Sequence, residues 1–105
     1  MIDEPTIRKA ADLLLAAAPG ARVIVFGSQA RGDADRGSDL DLLVVEPHVE
    51  DSLVETVRLR GVLRSLRIAV DVIAMSQERF NYWKDTPNTL AYRVMKEGKV
   101  YEQVA

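Results

Sequence analysis

The sequence predicts an α/β (α+β) domain: a small mixed β-sheet of three to four strands with helices packed against it. Three observations carry that expectation. Short β-branched runs alternate with stretches whose apolar residues recur at helical spacing. Glycine, proline or a capping side chain stands at most of the boundaries. The 105 residues, 48% hydrophobic and 29% charged, suit one small globular domain spanning 1–105.

Ile7, Ala10, Ala11, Leu14 and Leu15 mark a helix over Thr6 to Ala18. Pro5 sits where an N-terminal proline is tolerated, and Pro19-Gly20 stops the segment. Arg22 to Phe26 (RVIVF) is a β-branched run of strand length. Gly27-Ser28 ends it, and Ser28 is expected to cap the helical turn that follows. Asp33 to Ser38 is polar and contains glycine, so it reads as a loop. Asp39 to Glu46 (DLDLLVVE) is the second strand, closed by Pro47. Asp51 to Leu66 reads as a helix with Leu59, Val62, Leu63 and Leu66 on one stripe, weakened slightly by Gly61. Ile68 to Met75 (IAVDVIAM) is the third strand, and Ser76 caps a helix running to Lys84. Pro87-Asn88 breaks the chain, Thr89 to Glu97 forms the last helix, and Gly98 is its expected C-cap. Lys99 to Glu102 (KVYE) adds a short edge strand. The third strand follows a helix of crossover length, so its pairing is open to a parallel or mixed arrangement.

Composition excludes several functions. There is no cysteine, so disulfides, thiolate chemistry and a cysteine-based zinc site are ruled out. The segment Met1 to Pro5 is acidic and has no apolar run, unlike a signal peptide. No stretch approaches the ~20 apolar residues that span a bilayer. A cytoplasmic location is the expectation. The net charge of −2 gives no bulk attraction to nucleic acid, so direct nucleic-acid binding is not expected.

Three aspartates point to chemistry. Residues i and i+2 of a strand share a face, so Asp39 and Asp41 aim together. Two carboxylates that close repel unless a cation separates them or one is protonated. Oxygen ligands at this spacing suit Mg²⁺, which binds through one or two carboxylates plus substrate phosphates. Asp71 interrupts an apolar run and is therefore expected to be buried, at a cost unless it is paired or metal-bound. Beside the second strand it completes a three-carboxylate cluster; alone, it would pair with Arg22 or Arg31. Gly27-Ser28 presents backbone N–H groups and a hydroxyl to phosphate, and Arg31 offers a bidentate partner.

Gly27-Ser28, ten intervening residues and Asp39-Leu40-Asp41 resemble the GS-x10-DxD signature of the polymerase-β-like nucleotidyltransferase superfamily. Gly27-Ser-Gln-Ala-Arg-Gly32, Ser38-Asp-Leu-Asp41 and the closing run Leu90 to Glu102 are similar to its minimal nucleotidyltransferase (MNT) family. The resemblance implies a nucleotidyltransferase fold and transfer assisted by two Mg²⁺ ions with ATP as substrate. It gives the metals to Asp39, Asp41 and Asp71, which are also the expected catalytic residues. It gives the phosphates to Gly27 and Ser28, with Arg31 as a further contact. Minimal members are often antitoxins paired with a HEPN-domain ribonuclease toxin, and some transfer AMP to a tyrosine of that toxin. The resemblance thus implies AMP transfer from ATP to a protein hydroxyl, a tyrosine of such a toxin, within a hetero-oligomer, since 105 residues leave no room for a second, acceptor-binding domain. Two other functions fit the residues: a non-catalytic module that covers a toxin, or a transferase subunit for a small-molecule or RNA acceptor.

Other features have competing readings. Arg60, Arg64 and Arg67 recur at i, i+4, i+7, either as a solvated helix flank or as a contact for a partner. Phe80, Tyr82 and Trp83 suit either core packing or an exposed partner patch. Tyr92 and Tyr101 read as packing residues.

Overall fold

The computed structural model describes residues 2–35 and 37–102; Arg36, in the loop expected over 33–38, lies outside them. The first helix, α1 (Glu4–Ala17), begins earlier than its apolar stripe suggests. Asp3 is its cap, and its carboxylate accepts from the Thr6 N–H at 2.9 Å. Strand β1 (Arg22–Phe26) leads into the single-turn helix α2 (Ser28–Arg31). Gly27, not Ser28, holds the cap position there, and it makes no side-chain bond. Ser28 is already inside the turn, so its hydroxyl is not spent on the helix as expected.

Strand β2 (Leu40–Glu46) precedes α3 (Ser52–Val62), which Asp51 caps through Leu53 and Val54 at 3.0 and 3.1 Å. The helix expected to reach Leu66 stops at Val62. Gly61 weakens its last turn, Leu63 bonds back to Arg60 at 3.2 Å, and Arg64–Leu66 forms a 3₁₀ turn. Arg67 closes that turn at φ 53. The expected arginine stripe therefore does not lie on one helix face.

Strand β3 (Val70–Ser76) is followed by α4 (Gln77–Trp83), α5 (Leu90–Glu97) and β4 (Lys99–Glu102). Ser76 caps α4 at 3.1 Å and Thr89 caps α5 at 3.2 Å. The sheet order is β3-β2-β1-β4. β1 runs antiparallel to β2 and β4, while β2 and β3 are parallel, so the sheet is mixed.

Strand alternation sorts the core into two layers. Val23, Val25, Leu40, Leu42, Val44, Val72 and Ala74 pack with the apolar faces of α1 and α3. Ile24, Phe26, Leu43, Val45 and Met75 pack with Phe80 of α4 and Ala91 and Val94 of α5. The aromatic cluster divides accordingly: Phe80 is buried, while Tyr82 and Trp83 are exposed and meet edge to face at 4.8 Å. Tyr101 is buried and its hydroxyl donates to Glu4 Oε1 at 2.8 Å. Gly98 is the C-cap of α5 as expected, donating its N–H to Val94 O at 2.8 Å, although at φ −74 it is extended and not left-handed. It is needed for closeness instead, because a Cβ there would collide with Ile24 Cγ2 and stand 2.5 Å from Val94 O. That packing presses the end of α5 onto β1.

Candidate active site

The strand faces decide where the aspartates go. Leu40 and Leu42 belong to the layer under α1 and α3, so Asp41 points to the α4–α5 side with Leu43 and Val45. Asp71 shares that side with Ile73 and Met75. Parallel register sets Asp41 directly beside Asp71, one strand spacing of about 4.8 Å away. Asp39 precedes β2 and is exposed.

The same register brings in the glycine-serine turn. Phe26, the last residue of β1, pairs with Asp41, so Gly27 emerges beside that carboxylate. A Cβ on Gly27 would collide with Asp41 Oδ2 and stand 3.2 Å from Asp41 Cγ. Gly27 also has φ +72 and ψ −155, a conformation essentially reserved for glycine. Its lack of a side chain therefore meets two requirements at once. The turn and the acidic pair meet where β1 ends and β2 and β3 begin.

Burial pushes the Asp41 carboxyl above its ordinary range, and the charges of Asp71 and then Asp39 add to the rise. Arg93 and Arg31 oppose it. Asp71 and Asp39 thus each repel Asp41, and carboxylate oxygens are the donor type a hard divalent cation takes. Among the described residues, no three acidic, histidine or cysteine side chains converge closely enough to hold a metal by themselves. A cation here would share the carboxylates with substrate oxygens, the usual habit of Mg²⁺.

Asp71 departs from expectation. Its side chain is 54% exposed, because β3 is an edge strand and Asp71 lies at its open end. Its ionic neighbour is Arg60, at 3.9 Å, and not Arg22 or Arg31. Arg22 donates to Gln77 at 2.8 Å. Arg31 is engaged by Asp33 at 3.2 Å and by Glu97.

A model of the nucleotidyltransferase domain matches residues 7–101. The chain belongs to the nucleotidyltransferase domain family. No curated protein matches it significantly. Solved structures do. A toxin-antitoxin structure with AMP-PNP aligns with TM-score 0.67 at 23% identity, over 97% of this chain and 75% of that one. A candidate nucleotidyltransferase from Sulfolobus solfataricus gives 0.58 at 26% identity, over 77% and 73%. A tri-AMPylated Shewanella oneidensis HEPN toxin in complex with its MNT antitoxin gives 0.64 at 18% identity, over 97% and 74%. The two toxin complexes share the fold of this nucleotidyltransferase domain.

Two residues that sequence reasoning missed border the acidic cluster, both from α5. Arg93 acts on the Asp41 carboxyl and lies 5.6 Å from the Phe26 ring centroid. Glu97 accepts from the Gly27 N–H at 2.9 Å and from Arg93 Nε at 3.0 Å. In the sequence they read as an ordinary i,i+4 ion pair on a surface helix. The available signal was Gly98, whose close packing fixes the end of α5 beside the turn. A groove of about 570 Å³ runs from there along Thr89, Tyr92, Arg93 and Lys96. No helix among the described residues is long and apolar enough to cross a membrane.

Proposed function

We propose that this nucleotidyltransferase domain transfers AMP from ATP to a protein hydroxyl, a tyrosine of a partner HEPN ribonuclease toxin, and thereby acts as its antitoxin. The observation that carries the reading is the juxtaposition of Gly27, Asp41 and Asp71 at one end of the sheet. Family membership supports nucleotidyl transfer. The fold shared with an AMP-PNP complex and with a tri-AMPylated HEPN toxin complex supports the nucleotide and the partner.

Each residue then has a task. Gly27 and Ser28 hold the β- and γ-phosphates through the backbone and hydroxyl, and Arg31 adds its guanidinium. Asp39, Asp41 and Asp71 would hold two Mg²⁺ ions. Such ions supply charge stabilisation to the attacking and leaving oxygens of an in-line displacement. The acceptor oxygen forms a bond to the α-phosphorus. The bond to the β-bridging oxygen breaks, and pyrophosphate leaves. Asp71, exposed at the open end of β3, receives the hydroxyl proton.

The test is to incubate the chain with Mg-ATP and a HEPN ribonuclease toxin, then measure intact masses. One or more AMP additions to the partner are expected, and none with Asp39→Asn/Asp41→Asn. No addition with the wild type, or equal addition with the double variant, sinks the proposal. Full toxin neutralisation by the double variant would favour a purely binding antitoxin.

A further inference from the structure

Glu97 sits on the donors that nucleotide phosphate would use. Its Oε1 accepts from the Gly27 N–H at 2.9 Å and from Arg93 Nε at 3.0 Å. Arg31 Nη1 donates to both oxygens, at 3.3 and 3.2 Å. The side chain is 18% exposed, so the carboxylate is largely enclosed by these partners. Arg31 is also held by Asp33 through Nε at 3.2 Å. Two guanidiniums are therefore already engaged by the Glu97 and Asp33 carboxylates before any ligand arrives.

The backbone beneath Glu97 has little freedom. Gly98 is packed against Ile24 and Val94, and the next residue, Lys99, pairs with Val25 of β1. Movement of Glu97 away from the turn must come from rotation of its own side chain. A phosphate oxygen and a carboxylate oxygen take the same kind of donor, so both cannot hold the Gly27 N–H together.

We propose that Glu97 is a built-in competitor of the nucleotide triphosphate. Resting on the nucleotide site proposed above, this means that ATP binds by taking Gly27, Arg31 and Arg93 from Glu97. The apparent affinity is lowered by the fraction of molecules in which Glu97 covers the site. Glu97 thereby sets how much nucleotide the domain holds.

The test is calorimetric titration of the wild type, Glu97→Gln, Glu97→Ala and Asp33→Asn with Mg-ATP and, separately, with tripolyphosphate. Thermal melts check that each variant is folded. Both Glu97 variants are expected to bind both ligands more tightly than the wild type, by roughly tenfold. Asp33→Asn loosens Arg31 but leaves Gly27 covered, so its gain is expected to be smaller. Weaker binding by folded Glu97→Gln would make Glu97 a positioning residue and overturn the proposal. Unchanged affinity would overturn it, and so would an equal gain in Asp33→Asn, which would reduce the effect to charge alone. If Glu97→Ala melts early, Glu97→Gln decides by itself. If the wild type binds neither ligand, the nucleotide site itself fails and this inference with it.

Discussion

Gly27→Ala is the substitution that separates the site from the fold. Two glycines flank the short helix α2, and both have positive φ: Gly27 at +72 and Gly32 at +84. Gly32 lies in the left-handed helical region, and a Cβ there meets nothing within 4 Å. Gly32→Ala should therefore carry backbone strain alone, about 1–2 kcal/mol. For a domain of this size that is a fall in Tm of roughly 4–8 °C per kcal/mol. Gly27→Ala carries about 1–3 kcal/mol of strain and also a collision with Asp41 Oδ2. Relief of the collision swings the carboxylate by roughly 1 Å, a displacement that costs on the order of 100-fold in rate. The assay is transfer of AMP to the partner at a temperature where both variants are folded, with urea denaturation in parallel. Gly32→Ala should keep most of the transfer rate, while Gly27→Ala should lose about two orders of magnitude. Equal transfer rates in the two variants would refute the claim that the missing Cβ makes room for Asp41.

Four further outcomes test the surrounding structure. Burial, with the neighbouring Glu55 carboxyl, pushes Glu46 up to about 7 from an ordinary 4.5. Its stabilising contribution is therefore complete below pH 4.5 and lost as pH rises through 7; Glu46→Gln should abolish that loss, and parallel Tm-against-pH curves for wild type and variant would contradict it. Glu55 behaves oppositely: the Arg58 guanidinium brings it down to about 2, so its contribution is held above pH 4.5 and lost as pH falls through 2. Tyr101→Phe removes the hydroxyl that donates to Glu4, and denaturation should show a loss of about 1–2 kcal/mol. Gly98→Ala forces a methyl against Ile24 and Val94 O without backbone strain and should cost about 1–3 kcal/mol by overpacking, read by the same assay.

Much of the architecture was legible because its signals are local. The run RVIVF and the closing KVYE each became a strand with the expected bounds. Alternation was expected to aim Asp39 and Asp41 together, but β2 begins at Leu40 and leaves Asp39 outside the strand; the parallel pairing of β2 with β3 is what sets Asp41 beside Asp71. What escaped was set by tertiary context. An apolar run around Asp71 suggests burial, but an edge strand exposes its open end whatever the run contains. The apolar stripe does not show where α3 ends: the helix stops at Val62, buried Leu63 follows, and the chain turns through a 3₁₀ segment at Arg64–Leu66. Ser28 looked like a cap, whereas the unusual backbone of Gly27 takes that place. Arg93 and Glu97 were hidden for a different reason. Nearly seventy residues separate Glu97 from Gly27 in the chain, and the β1–β4 pairing together with the packing of α5 on β1 brings them side by side.

The central claim is that Gly27, Ser28 and the three aspartates move an adenylyl group onto a partner protein. The most direct measurement uses ATP labelled at either the α- or the γ-phosphate, with a HEPN ribonuclease toxin as the proposed acceptor. The account predicts that the α-label enters a tyrosine of the partner with release of pyrophosphate, and that Asp41→Asn abolishes it. Label transferred from the γ-position, or no label transferred from either, would contradict it.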